Sequence, residues 1–346
     1  MKTTFKYFLM QEAGNFKRQE LEPEQFMNIL KQHCKGWIEA VKSKHVIPVW
    51  RGDNNHQGTL SMGDSNSFIR KAANTENWYA LWIDHSRKWK DFPKRRQSYI
   101  CTNNLSTADG YGEVQIVIPY DTTHIGVVPA EDMWWGFKQQ MRDFFGNGHV
   151  GSVETFQDHI RACSQLTNHF IKMDDVSDLY SGLNHITLDS MSEAINKVAE
   201  AVDAVKPGLF DELFASEEWS DFNRAKRNIP IEAVAAISSS WSDNYPDIVR
   251  QFWEVYHSSL MISDAMRKHG MTSLAQVFDA IFTPDNFKHI KGSELNSLTR
   301  STDSEYWIQG PCLFIDSYKG VKITLAKLYK MMMDELEINM PQLTRE

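Results

Sequence analysis

The chain has 346 residues, 42% apolar and 12% aromatic, which excludes wholesale disorder and supplies one large core or two ordinary ones. Its 45 acidic and 37 basic residues give a formal charge of −8, excluding broad non-specific binding to nucleic acid while leaving room for a local basic groove. No stretch reaches the apolar length of a membrane span. Cys34, Cys101, Cys163 and Cys312 are spaced too widely for a zinc motif and read as buried thiols of a cytosolic protein.

The opening run MKTTFKYFLMQEAGNFKRQE is interrupted by Lys6 and followed by charges rather than a small-residue cleavage site, so it does not read as a signal peptide. Pro23 suits a first helical turn. Phe26, Ile29, Leu30, Cys34, Trp37 and Val41 recur at spacings of three and four, which predicts one amphipathic helix. Residues 45–50 (HVIPVW) are short, apolar and β-branched, and predict a strand delivering Arg51-Gly52 to a loop. Residues 53–77 are polar and rich in Gly, Asn and Ser, and predict a long irregular segment. The stretch 87–96 (RKWKDFPKRR) is strongly basic, suiting a solvated loop, a phosphate-bearing cofactor or substrate, or nucleic acid.

Residues 98–102 (SYICT) predict a second strand. Val114, Ile116 and Ile118 predict a third, stopped by Pro119, and residues 125–129 a fourth. The period then becomes helical through Met191, Ala194, Ile195, Val198, Ala199, Val202 and Val205 to Pro207-Gly208. A further helix spans 248–268 and stops at His269-Gly270. Strand character returns at Tyr306-Trp307-Ile308 and at 312–315, and a last helix over 321–336 puts Leu325, Leu328, Met332 and Leu336 on one face. The order predicts an α+β protein in which 1–150 and 296–346 form one sheet domain around a helical insertion at 154–295. Two sequential domains are the alternative.

Three segments carry candidate chemistry. Arg51 before Gly52 can hold a planar donor fork against phosphate beside a closely approaching ligand, although a structural salt bridge is the plainer reading. Ser98 and Thr102 can hold a ribose or orient a carboxylate, or serve as ordinary sheet residues; Tyr111 can stack on a planar ring or fill the core. Asp303 and Glu305 point the same way if the segment is extended, and a carboxylate there can stabilise positive charge developing on a ribose. The plainer reading is a polar loop entering a strand. Glu131-Asp132 can stand in for Glu305 if the insertion is absent. His45, His56, His85, His124, His149 and His159 are scattered without a metal-ligand spacing, and no P-loop or Gly-x-Gly-x-x-Gly is present.

In order, V-W-R-G, S-Y-I-C-T, A-D-G-Y-G, a V-x-I-V-I-P strand and D-S-E-Y-W-I resemble the Arg–Ser–Glu branch of the ADP-ribosyltransferase superfamily. The resemblance implies a split mixed or antiparallel sheet and NAD as substrate. It implies Arg51 with Gly52 at the NAD phosphates, Ser98 with Thr102 supporting the site, and Tyr111 near nicotinamide. Glu305 is then catalytic and Asp303 orients the acceptor, with no metal. The serine strand departs from Ser-Thr-Ser, so Thr102 or Ser106 can hold the place of Ser98. Asp303 is shorter than the usual Glu or Gln, and if it does not reach the acceptor the chemistry becomes NAD hydrolysis or nucleotide binding alone.

The chain is also similar to hypothetical proteins of tailed bacteriophages, through Arg51-Gly52, W-K-D-F-P-K-R, S-x-I-C-T and the E-x-W segment. That implies a host macromolecular acceptor, protein before nucleic acid, no membrane, and a place in the host cytoplasm or packaged in the virion. The runner-up is a catalytically silent phage factor that binds a host or virion protein through its aromatic-rich helical middle. Exposed Trp134 and Trp135, and an Arg51 salt bridge away from Glu305, would favour it. A structural component of the virion is the third reading.

Overall fold

The structure is a computed structural model. It describes residues 18–43, 49–53, 59–70, 78–146, 153–169, 171, 176–214, 232–233, 248–298, 303–316 and 322–338. The opening run as far as residue 17 lies outside them, as do residues 45–48 of the first predicted strand. The chain forms two compact units, one of Met1–Gly136 with Thr283–Glu346 and one of Phe137–Phe282. The helical unit therefore begins before residue 154 and ends before 295, because the chain after Thr283 returns to the sheet as the strand Lys288–Lys291.

In the first unit, nine strands among the described residues form one sheet: β1 (Gln19–Glu20), β2 (Trp50–Asp53), β3 (Leu60–Asp64), β4 (Tyr99–Thr102), β5 (Glu113–Pro119), β6 (His124–Val127), β7 (Lys288–Lys291), β8 (Glu305–Gln309) and β9 (Pro311–Asp316). Their order across the sheet is β1-β3-β9-β5-β2-β4-β8-β6-β7, and every described pairing is antiparallel. The fold is thus α+β with a large helical region. β5 lies between β9 and β2 and is buried on both faces, which explains its nearly unbroken apolar sequence. Arg51 lies inside β2 rather than beyond its end. The segment 53–77 is not wholly irregular, because β3 pairs with β1 and β9. Its Ser61, Gly63 and Asp64 carry no strand-like apolar alternation.

The first predicted helix is two: α1 (Pro23–His33) and α2 (Lys35–Lys42), broken at Cys34. Pro23 opens α1 after Glu22, whose side chain forms a capping box with Gln25. The α2 N-terminus is capped from a distance, since Asp121 accepts the Lys35 and Gly36 amides at 3.2 and 2.8 Å. Phe26, Met27, Leu30 and Trp37 join the sheet's core cluster, as do Leu328, Met332 and Leu336 of the helix Lys322–Leu336. A short helix α3 (Trp78–His85) buries every residue from Trp78 to Ile83. Having no polar face, it leaves no amphipathic period to read.

The second unit is built from helices among its described residues, including Val153–Leu166, Leu188–Asp203, Ile248–Lys268 and Leu274–Ile281. Thr187 and Ser190 form a capping box before Leu188. Gly270 (φ +66°) ends the helix Ile248–Lys268 in the left-handed conformation that glycine adopts without strain. Phe137, Phe156, Phe278 and Phe282 pack ring against ring inside this unit.

Candidate functional site

Across β2, β4 and β8, Trp50 stands opposite Thr102, and Thr102 opposite Glu305. Residues directly opposite in an antiparallel pair share a face, so Trp50, Thr102 and Glu305 face one side of the sheet. A small pocket, about 30 Å³ in volume, opens against this face. Arg95, Thr102, Tyr111, Asp132 and Glu305 are among its lining residues, and Glu131 lies at its exposed margin.

Glu305 is 6% exposed. Its Oε1 accepts from Arg95 Nε (3.3 Å) and Nη2 (3.2 Å) and from Trp307 Nε1 (2.5 Å). Among the described residues, no donor reaches Oε2 and no acceptor reaches Arg95 Nη1. One oxygen is therefore held by a charge-assisted fork and an indole while the other remains available. Trp307 is two residues from Glu305, hence on the same face of β8, and its buried ring packs beside Trp89 and Phe287.

Arg95 belongs to the basic run, and α3 anchors that run. Asp84 accepts the Arg95 amide at 2.7 Å and the Arg96 amide and Nε at 3.3 and 2.8 Å. Burial raises the Asp84 pKa above the ordinary carboxylate value despite its Arg96 partner. For Arg95, burial opposes the charge, but Glu305, Tyr79 and Asp132 outweigh it and hold the guanidinium protonated. Burial first, then Asp132 and Glu305, push the Tyr111 hydroxyl up, so it stays a donor at neutral pH.

The remaining predicted residues divide by position. Thr102 lines the pocket, and its Oγ1 accepts the Asn104 amide at 3.0 Å. Ser98 precedes β4, is fully buried, and donates its hydroxyl to the Lys94 carbonyl at 2.8 Å, away from the pocket lining. Asp303 sits in a bend before β8, so the extended geometry that would align it with Glu305 does not hold; its carboxylate accepts from Asn104 Nδ2 at 2.6 Å. Ser106 lies on the short helix α4 (Leu105–Asp109). Gly52 borders the pocket, but a Cβ there would lie 2.1 Å from the Ala108 carbonyl oxygen and 2.8 Å from Tyr111 Cβ. The close approach that requires glycine is by the protein's own α4.

Arg51 also borders the pocket, yet alternation along β2 sends its side chain to the face opposite Glu305, on the side of Gln115 and Asp53. There Arg51 Nη1 donates to the Ile100 carbonyl at 3.1 Å, and its Nε lies 3.7 Å from Asp53 Oδ2. Arg18 completes this buried network, with Nη2 on Asp53 at 2.8 Å, Nη1 on Gln115, and its guanidinium 3.8 Å over the Phe314 ring. The plainer reading of Arg51, a structural ion pair, describes this geometry. The guanidinium beside Glu305 is that of Arg95, visible in the sequence only as one charge in a run.

All four cysteines are free and buried. Among the described residues, no helix is long and apolar enough to cross a membrane. Likewise, no group of three or more His, Cys, Asp and Glu side chains there is arranged to hold a metal ion. The chain matches no family model, no curated protein and no solved structure.

Proposed function

We propose that the pocket binds NAD and transfers its ADP-ribose to a host macromolecular acceptor, protein before nucleic acid. In this reading the sheet unit is an ADP-ribosyltransferase-like split sheet interrupted by the helical unit. The observation that carries it is the buried Glu305 carboxylate, held at Oε1 by Arg95 and Trp307 and available at Oε2, in a pocket with the Tyr111 ring and hydroxyl. Such a carboxylate stabilises positive charge building on a ribose as the glycosidic bond to nicotinamide lengthens, and its fixed geometry costs no reorganisation during reaction. Arg95, not Arg51, supplies the cation within reach of an anionic group, through Nη1. Tyr111 offers a ring face for nicotinamide and a protonated hydroxyl. The expected result is nicotinamide release from NAD by the purified chain and its loss in E305Q; a folded E305Q with full turnover would contradict the reading.

A second reading, a catalytically silent factor binding a host or virion protein, is favoured by two observations. Arg51 is held on the face away from Glu305, and Trp135 is 47% exposed. Nicotinamide release separates the two readings.

A further inference from the structure

We infer that Asp132 is the second functional carboxylate of this pocket, the base that takes the proton of the acceptor, in the place that the sequence pattern assigns to Asp303. The inference rests on the NAD reading above. Asp303 is bonded to Asn104 and lies outside the pocket lining, so the residue two before Glu305 does not supply this group.

The backbone brings Asp132 in instead. Beyond β6 the chain stays paired with Glu305 itself, because the Val128 amide donates to the Glu305 carbonyl and the Glu305 amide donates to the Ala130 carbonyl, each at 2.9 Å. Asp132 follows two residues after Ala130, lines the same pocket and is 4% exposed. The charged or titratable residues sharing the pocket lining with it are Glu305 from β8, Arg95 from the turn before β4, Cys101 from β4, Arg51 from β2, Tyr111 from just beyond α4, and its neighbour Glu131. The influence of Asp132 on both Arg95 and Tyr111 agrees with this common placement.

The step balances as follows. The ribose C1′–N bond breaks with its electron pair passing to the pyridinium nitrogen, so nicotinamide leaves neutral. An oxygen lone pair of the acceptor, a hydroxyl or water, forms the new bond at C1′ while its proton passes to the Asp132 carboxylate and then to solvent. Glu305 stabilises the ribose cation and Asp132 makes the nucleophile, so two carboxylates hold two roles. The acceptor class that needs such a base is a protic group uncharged at neutral pH.

The test measures nicotinamide release and NAD affinity in wild type, D132N and E305Q, with and without azide, an anion that needs no base. D132N is expected to keep its NAD Kd within about twofold and to lose on the order of 100-fold in turnover, the usual contribution of a general base. Azide is expected to restore release in D132N, giving ADP-ribosyl azide, and not in E305Q. D132N turning over at the wild-type rate, or slow and not restored by azide, would overturn the role of Asp132 while leaving that of Glu305 standing. A wild-type chain that releases no nicotinamide under any condition would overturn both. Should D132N not fold, D132S, checked for a cooperative melt, takes its place: azide is expected to restore release there too, and no restoration in folded D132S would overturn the proposal.

Discussion

At the scale of single residues, the guanidinium beside Glu305 comes from Arg95 and not from Arg51. The resemblance makes Arg51 the cofactor's clamp while its sequence setting favours a structural salt bridge; in the structure one step of strand alternation turns it to the face away from Glu305. There it belongs to the Arg18–Asp53–Gln115 network. Asp53 keeps Arg18 when Arg51 is removed, but the Ile100 carbonyl loses its buried donor, so R51Q is expected to cost about 1–3 kcal/mol of stability. The NAD affinity of the folded fraction should stay within a few-fold, as calorimetry would show; a hundredfold weakening with unchanged stability would return Arg51 to the ligand. Arg95 escaped the sequence reading because its partner lies 210 positions away and its own neighbourhood announces only charge. Glu305 is picked out by its spacing from Asp303 and by the resemblance, not by any contact the sequence shows.

At the scale of elements, legibility followed the apolar pattern. β5, β6, β8 and β9 carry runs of Val, Ile, Leu and aromatic residues and were readable. β3 and α3 were not, one too polar and the other too apolar to show a period. Gly52 makes the tightest demand at the site. G52A would drive a methyl against the Ala108 carbonyl and Tyr111, shifting α4. Overpacking of this kind costs about 1–3 kcal/mol, and the same shift should weaken NAD binding through Tyr111; a G52A chain with wild-type Tm and affinity would contradict this packing.

The pairing of β6 with β7 brings His124 Nδ1 to 2.9 Å from His289 Nε2. That bond needs one neutral ring as acceptor. Burial first, then His124, lower the His289 pKa from 6.5, against the opposite pull of Asp91 and Glu294; Lys291 adds to the lowering. A histidine whose folded pKa is depressed contributes stability above the unfolded value and loses it as pH falls through the folded value. The denaturation midpoint should therefore drop on acidification below about pH 6.5, and H289Q should flatten that slope. An identical slope in H289Q would refute the assignment.

At the scale of the molecule, the chain leaves the sheet unit at Gly136 and returns to it at Thr283. A Cβ on Gly136 would lie 3.0 Å from Phe287 Cζ, so exit and return run side by side. Replacing residues 137–282 with a short Gly/Ser linker is expected to leave a sheet unit that unfolds cooperatively in denaturant, since closing a short loop costs little. A chain without a cooperative transition would show that the sheet depends on the helical unit. The strands at both ends of a helical middle made this arrangement thinkable from sequence, but order alone did not separate an insertion from two sequential domains. In the sheet, β8 and β9 take places inside it rather than at its edge.

The most direct measurement is the time course of nicotinamide release from NAD by the purified chain, with E305Q alongside and an adenylate-labelled NAD incubated in parallel with host lysate. Steady release by the wild type, its near-abolition in a folded E305Q, and label passing to a lysate macromolecule are the predicted results. No release, or equal release from E305Q, would contradict the assignment of Glu305 and of the pocket to NAD chemistry.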